Sequence, residues 1–487
     1  MAHASKMHGG AKRWVLVLLT LLVLLLAGAW GTLMHLGIPK NAAGMAAKGV
    51  CSAAFVANRP IDKKAVADQL MAEDVLPASP VLGLVKVDVD EKEKRVTGTF
   101  AGLFPRTAQW LPNRGCVLDG AGSVTSGDSV YFAKPSGELR PWPDGNGVTP
   151  SAQWTPGIDE AALQKVVAQA FVGAGDPKAA NTRGLAVLHK NKLLALKTAP
   201  GFEPETPLHG WSMAKTVSAM LFYKASIDNG LPLNTPVVNA FPIGREPAWV
   251  APWRNDARKG IRVSDLLYMR DGLANVESYQ PWDQVPKMLW GSTNVAAFAA
   301  EAPSEAPPGT RWRYLSQTSN LLAAVTRARF PTDGEYWAYP QRTLFWQIGA
   351  NSAAMETDAS GNWVGSSYLW ASVGDWARFG QLMLDDGKWG ERQVIPAGWL
   401  ARAKTPSTGS SGQGYGAQVW HYGNPQAGTC KGRGIPEDTL AMSGHWGQMV
   451  AMVPSRDAVI VRLGWTFDRG QFDACALILD VLKALPK

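Results

Sequence analysis

Ser212 and Lys215 are the two residues of this chain best spaced to do chemistry together. They stand three apart in the run His209-Gly-Trp-Ser-Met-Ala-Lys-Thr-Val-Ser-Ala-Met220. On a helix that spacing puts both side chains on one face, about one turn apart. A serine hydroxyl is a poor nucleophile near neutral pH until a neighbour takes its proton. A lysine can be that neighbour where burial and the positive end of a helix lower its pKa. The mostly apolar residues 218–224 carry the helix into a core, and Asn229-Gly230 supplies its stop. The sequence contains a single Ser-x-x-Lys. Alone, the pattern would equally describe a capping serine beside a solvated lysine, so further stretches must decide.

Two such stretches exist. Tyr314 follows the turn Pro308-Gly-Thr-Arg-Trp-Arg313 and precedes an apolar helical pattern. A phenol there can relay a proton between a serine and a leaving group. The run Ser443-Gly-His-Trp-Gly-Gln-Met-Val450 opens an apolar strand, and its glycines let backbone approach a substrate closely. The N–H after Gly447, that of Gln448, is expected to join the N–H of Ser212 in holding an oxyanion. His445 reads either as a substrate contact or as a core histidine. The 21 tryptophans read as core packing or, in part, as the walls of a cleft.

These groups need a scaffold, and composition bounds it. The chain has 487 residues, 46% hydrophobic and 18% charged, which is an ordered globular composition with room for a large core. The net charge of +8 is spread along the chain, without a basic run interleaved with aromatics, so nucleic acid is not an expected partner. Nothing in the pattern fixes an oligomeric state. Residues 1–13 carry Lys6, Lys12 and Arg13, and Trp14 to Met34 carries no charge. That predicts a cytoplasmic N-terminus at 1–13, a transmembrane anchor at 14–38 and the remainder in the periplasm or extracytoplasmic space. Ala27-Gly28-Ala29 would serve as a cleavage site for a signal peptide, but the apolar run continues past it, which favours an uncleaved anchor. Four cysteines fit an oxidising compartment. Three pairings are open, and Cys51–Cys116 with Cys430–Cys475 keeps each bridge inside one expected domain.

Residues 39–49 read as a small-residue linker, and residues 50–150 as a small β-rich domain with strands at Val81–Asp90 and Arg95–Phe100. Residues 120–127 read as a loop and 141–147 as a joint. Within 151–487, a helix is expected over 160–171, then a hairpin of 184–189 and 192–197 turning at Lys190-Asn191. Helices are expected over 263–269, 284–288, 293–301, 320–328 and 370–386, strands over 448–453 and 458–465, and a last helix over 473–484. Strands at both ends with helices between predict an α+β domain whose antiparallel sheet is built from both ends.

Ser212-Met-Ala-Lys215, Tyr314-Leu-Ser316 and His445-Trp-Gly447, in that order, resemble the motifs of serine hydrolases of the β-lactamase and penicillin-binding-protein superfamily, in particular its class C β-lactamase-like branch with esterases and aminohexanoate-dimer hydrolases. Residues 262–273 and 365–380 look like two further landmark helices, so the resemblance covers about 155–487. It implies a β-lactamase/transpeptidase-like fold. It implies Ser212 as nucleophile, Lys215 as base and Tyr314 as proton relay. Gln448, Gly447, His445, Trp446 and Ser316 would line the oxyanion and substrate side. The implied substrate is a small-molecule ester or amide, with neither metal nor organic cofactor. Two departures narrow this. His445 replaces the lysine that holds a substrate carboxylate in β-lactamases and cell-wall peptidases, and Ser316 replaces an asparagine. A penicillin-binding D,D-peptidase or β-lactamase, and a non-catalytic binding or sensor protein of the same fold, are the alternatives. No Gly-x-Ser-x-Gly elbow and no His-Glu-x-x-His occurs.

Overall fold

The structure is a computed structural model that describes residues 7–59, 82–119, 142–143, 156–408 and 414–486. The expected loop at 120–127 and most of the expected joint at 141–147 lie outside the described residues.

Helix α1 spans Met7–His35, and its stretch Arg13–His35 is apolar and uncovered by the rest of the protein. This helix is long and apolar enough to cross a bilayer. Gly37, at φ 74°, breaks it in a left-handed conformation that suits glycine. Helix α2 follows at once over Ile38–Cys51, with Pro39 in its first turn. The expected linker at 39–49 is therefore a helix. Its alanines are strong helix formers, and Ala43, Ala46 and Ala47 are fully buried because small side chains let the helix lie flat on a sheet. A Cβ on Gly98 of that sheet would come within 2.3 Å of the Ala43 carbonyl oxygen.

The sheet is an antiparallel meander of β1 (Val85–Asp90), β2 (Arg95–Phe100), β3 (Leu103–Leu111) and β4 (Gly115–Leu118). The first strand starts later than expected, because Leu82–Leu84 form a 3₁₀ turn. The expected Cys51–Cys116 disulfide ties the end of α2 to β4. A carboxylate from the larger body locks this unit in place. Glu356 is fully buried and pairs with buried Lys48 at 3.1 Å. It also accepts from Ser52 Oγ at 2.9 Å, the Cys116 N–H at 2.7 Å and Trp370 Nε1 at 3.1 Å. The Lys48 ammonium donates in addition to the Cys116 carbonyl. Burial lowers the Lys48 pKa, and the Glu356 charge opposes that shift.

The larger body begins with α3 (Glu160–Ala170), capped by the Asp159 carboxylate on the Ala162 N–H. Strands β5 (Thr182–His189) and β6 (Lys192–Thr198) form the expected hairpin, with Lys190 and Asn191 both at positive φ. Strand β7 (Leu208–His209) leads through a 3₁₀ turn, Trp211–Met213, into α4 (Ala214–Asp228). The helical region includes α5 (Val263–Leu267), α6 (Val295–Ala300) and α7 (Ser316–Arg327). The helix expected over 284–288 is one short turn, Gln284–Pro286, running into a π-turn at Lys287–Gly291.

Strands β8 (Ala354–Met355) and β9 (Leu369–Ala371) precede α8 (Val373–Leu384). The helix expected from residue 370 starts at Val373 because the Ser372 hydroxyl caps it, accepting from the Asp375 N–H at 3.2 Å. Trp370 instead pairs with His209. The chain ends with β10 (Trp420–His421), β11 (Leu440–Gly444), β12 (Gln448–Val453), β13 (Ala458–Gly464) and α9 (Ala474–Ala484).

The main sheet has the order β10-β11-β12-β13-β5-β6 and is antiparallel throughout. It is the expected α+β architecture, with strands from both ends of the body meeting where β13 pairs with β5. Alternation along β5 sends Ala186 and Leu188 into the core shared with α4 and α8. It sends Leu185 and Val187 toward α3 and α9 on the other face. The second expected disulfide, Cys430–Cys475, fastens a loop to the start of α9.

Removing one partner of a buried ion pair leaves the other charge without compensation. Glu356→Ala is therefore expected to lower stability by about 3–5 kcal/mol, read from urea unfolding of the oxidised protein.

Candidate active site

Ser212 sits in the 3₁₀ turn between β7 and α4, just outside the regular helix on which its spacing places it. Trp211 before it is held at φ 49°, an uncommon conformation for a bulky side chain. Ser212 is 9% exposed and Lys215, on the first turn of α4, is 1% exposed. The Lys215 Nζ lies 2.9 Å from Ser212 Oγ, 2.9 Å from Ser316 Oγ and 3.0 Å from the Ser366 carbonyl oxygen.

Donor and acceptor roles in this set are constrained. The Ser366 carbonyl can only accept. The Ser316 hydroxyl donates to Glu277 Oε1 at 2.8 Å, so toward Lys215 it accepts. A neutral lysine then spends both N–H groups on Ser366 and Ser316, and its lone pair is left facing the Ser212 hydroxyl. Burial lowers the Lys215 pKa to about 8, against the opposing pull of Glu277.

Tyr314 stands just before α7, with its ring centroid 4.8 Å from the Lys215 Nζ. Its phenol faces the Ser212 hydroxyl. Burial first, and the Glu277 charge second, push the Tyr314 pKa far above the usual phenol range, and the Ser212 hydroxyl partly counters that shift. At ordinary pH this side chain is a neutral phenol, able to donate.

Two further side chains complete the group, and both escaped sequence reasoning. Glu277 caps α7, accepting from the Ser316 N–H at 2.6 Å as well as from its hydroxyl. Tyr279 is a buried phenol beside Ser212 and Ser316, and burial pushes its pKa well up. Its ring stacks on His445 at 4.6 Å and 9°. Both residues lie in an aperiodic loop after α5, where no spacing rule singles them out.

The third stretch is the tip of the β11–β12 hairpin. His445, Trp446 and Gly447 form the turn, with Trp446 at φ 59°, and all three line the pocket. A Cβ on Gly444 would fall 2.3 Å from the Gly210 carbonyl oxygen, so the end of β11 presses on the turn that carries Ser212. The side chain of Gln448 is structural, and the oxyanion donor expected of this residue is its backbone N–H. Gln448 is 1% exposed and does not line the pocket. Its carboxamide closes the hairpin from below, donating to the carbonyls of His445 at 3.1 Å and Gly464 and accepting from the Gly464 N–H at 3.0 Å. The polar-looking Gln448 belongs to the strand that supports the turn.

The structure thus brings Ser212, Lys215, Tyr314, Ser316, His445, Trp446 and Gly447 together, with the Gln448 side chain behind the turn. Ser212, Tyr314, His445, Trp446 and Gly447 line a cavity of about 610 Å³, with Lys215 and Ser316 behind Ser212. Its other walls include Trp420, Tyr422, Phe467 and Phe472. No Lys or Arg is among the described residues that line it. Among the described residues, no group of three His, Cys, Asp or Glu side chains converges as a metal set would.

Comparison with known proteins identifies the family and the fold. The model of the Beta-lactamase family matches residues 161–479. A structure from Bacillus anthracis, named as a 6-aminohexanoate-dimer hydrolase, aligns with TM-score 0.52 at 19% identity, covering 64% of this chain and 82% of its own. One from Bacteroides dorei, named as a beta-lactamase, aligns with TM-score 0.52 at 13% identity, covering 67% and 99%. A penicillin-binding-protein homologue from Caulobacter crescentus aligns with TM-score 0.50 at 14% identity, covering 67% and 98%. At such identities these structures share the fold with this chain. No curated protein matches it. A family match over well more than half of the sequence, together with that shared fold, shows that the chain belongs to the beta-lactamase family of the serine hydrolase and penicillin-binding-protein superfamily.

Proposed function

We propose that the protein is a membrane-anchored serine hydrolase that cleaves an ester or amide through an acyl-enzyme. The observation that carries this reading is the three-way hydrogen bonding of buried Lys215, which turns its lone pair toward Ser212. Ser212 Oγ attacks the substrate carbonyl while Lys215 Nζ takes its proton. The Ser212 N–H supports the oxyanion together with the N–H of Gln448, the residue after Gly447. Tyr314 gives its proton to the departing alcohol or amine and is reprotonated from Lys215. Water, deprotonated by the same set, then attacks the acyl carbon and releases the acid and free Ser212. Glu277, through Ser316, holds Lys215 in line and balances its charge.

Substrate choice follows from the cavity walls. Among the described residues they offer aromatic rings and one carboxylate, Glu277, and no Lys or Arg. A substrate without a carboxylate is favoured, since a buried anion there would lack a partner. The uncovered apolar α1 and the two disulfides support anchoring, with the catalytic body in an oxidising extracytoplasmic space.

A fluorophosphonate probe is expected to label the wild type and to leave Ser212→Ala unlabelled; an unlabelled wild type overturns the reading. Activity should rise with pH through about 8, because the neutral amine is the active form and burial sets that value. Lys215→Arg, which never deprotonates, should be inactive across the whole profile. Glu277→Gln removes the charge that favours the ammonium, so the rise in kcat/KM should move to lower pH. Nitrocefin, which carries a carboxylate, should turn over at least about tenfold more slowly than a neutral short-chain aryl ester.

A further inference from the structure

The N-terminal sheet has two unlike ends. The β1–β2 turn is Glu91-Lys92-Glu93-Lys94, charged at every position and exposed. The opposite end is apolar. Phe100 pairs with Val85 on one side and Leu103 on the other, and the Ala101 N–H donates to the Leu84 carbonyl. Leu84, Ala101, Gly102 and Leu103 are thereby gathered on one edge, about 20 Å from the charged turn. Leu84 is 47% exposed and Leu103 is 53% exposed.

This apolar edge lies against α1. The Trp30 ring packs on Phe100 at 6.5 Å and on Phe104 at 5.9 Å. Trp30 is about 25 Å along the helix from Arg13, which places it in the far part of a hydrocarbon core about 30 Å thick. A side chain level with Trp30 is then at the boundary between acyl chains and headgroups. The exposed Leu103 is next in the chain to Phe104, on which Trp30 packs, while the charged turn lies at the other end of the strands.

Resting on the anchoring part of the proposed function, we propose that the Leu84–Leu103 edge is seated in the bilayer that α1 crosses, with lipid as its occupant. The N-terminal unit is then a collar.

The test uses the full chain in nanodiscs. All four native cysteines are in disulfides, so Leu103→Cys gives a single site for an environment-sensitive fluorophore. Ile243→Cys, at a position 97% exposed on the larger body, is the reference. Lipids spin-labelled near the headgroup should quench the label at 103 roughly twofold and leave the label at 243 unchanged. A label at 103 that is unquenched in protein retained by the membrane overturns the proposal alone. Blue-shifted but unquenched emission also overturns it, since a protein surface, such as a second copy, would then cover the edge. Release of the chain by a carbonate wash, or an intact mass without α1, overturns the anchoring reading and the proposal together.

Discussion

Lys215 can serve as a base only while water is kept from its amine and its hydrogen bonds are already assigned. Much of the larger body is arranged around that requirement. Helix α4 is buried along most of its length, so the lysine on its first turn starts inside the core. Helix α7 brings Ser316, and Glu277 caps the same helix and fixes which way the Ser316 hydroxyl points. The backbone at Ser366 supplies the third oxygen. Each of these contacts comes from a different part of the sequence, and together they leave one direction open at the nitrogen.

A second layer holds the turn that carries the nucleophile. His209 lies between aromatic rings, stacked on Trp370 at 4.6 Å and 10° and close to Trp211 at 4.4 Å. Its Nε2 bonds the Ser367 carbonyl at 2.8 Å, next in the chain to the carbonyl that Lys215 uses. Burial lowers the His209 pKa to about 3, so the ring stays neutral and packs as an aromatic wall. Tyr368 stacks on the same histidine at 5.1 Å, and the Lys48 ammonium lies 4.4 Å above the Tyr368 ring. Contacts therefore run without a gap from α2, through His209, to the residue before Ser212. Trp211 and Trp446, both at positive φ, meet edge to face at 5.2 Å, so each strained turn braces the other.

What the sequence revealed follows from the range of each interaction. Ser212 and Lys215 are local, so their spacing was enough. The β5–β6 hairpin and strands β12 and β13 alternate regularly and turn at recognisable residues, and the structure has them where that pattern predicts. The disulfides paired as expected because each spans one compact unit. Glu277 and Tyr279 were invisible because only the packing of α5 and α7 brings their loop to the site. The role of the Gln448 carboxamide was not visible because its partner, Gly464, lies on the neighbouring strand. The α2 helix was missed because small residues were read as flexible, whereas alanine and glycine also mark helices pressed against another backbone. Ser372 moved a helix start by three residues through a cap that the apolar pattern does not encode.

The hydrophobic cluster behind the nucleophile draws on both parts of the protein. Ala46, Val50, Val96 and Phe100 from the N-terminal unit share it with Trp211, Tyr368, Trp370 and Trp465 of the larger body. A minimal catalytic fragment begun near residue 156 would strip that cluster of half its members. Its aromatic back wall would be bared to solvent, and the Glu356 carboxylate would lose Lys48, Ser52 and the Cys116 amide at one stroke. Shuffling the hydrolase body onto another tether would fail for the same reason: the tether's first folded unit is part of the hydrolase interior.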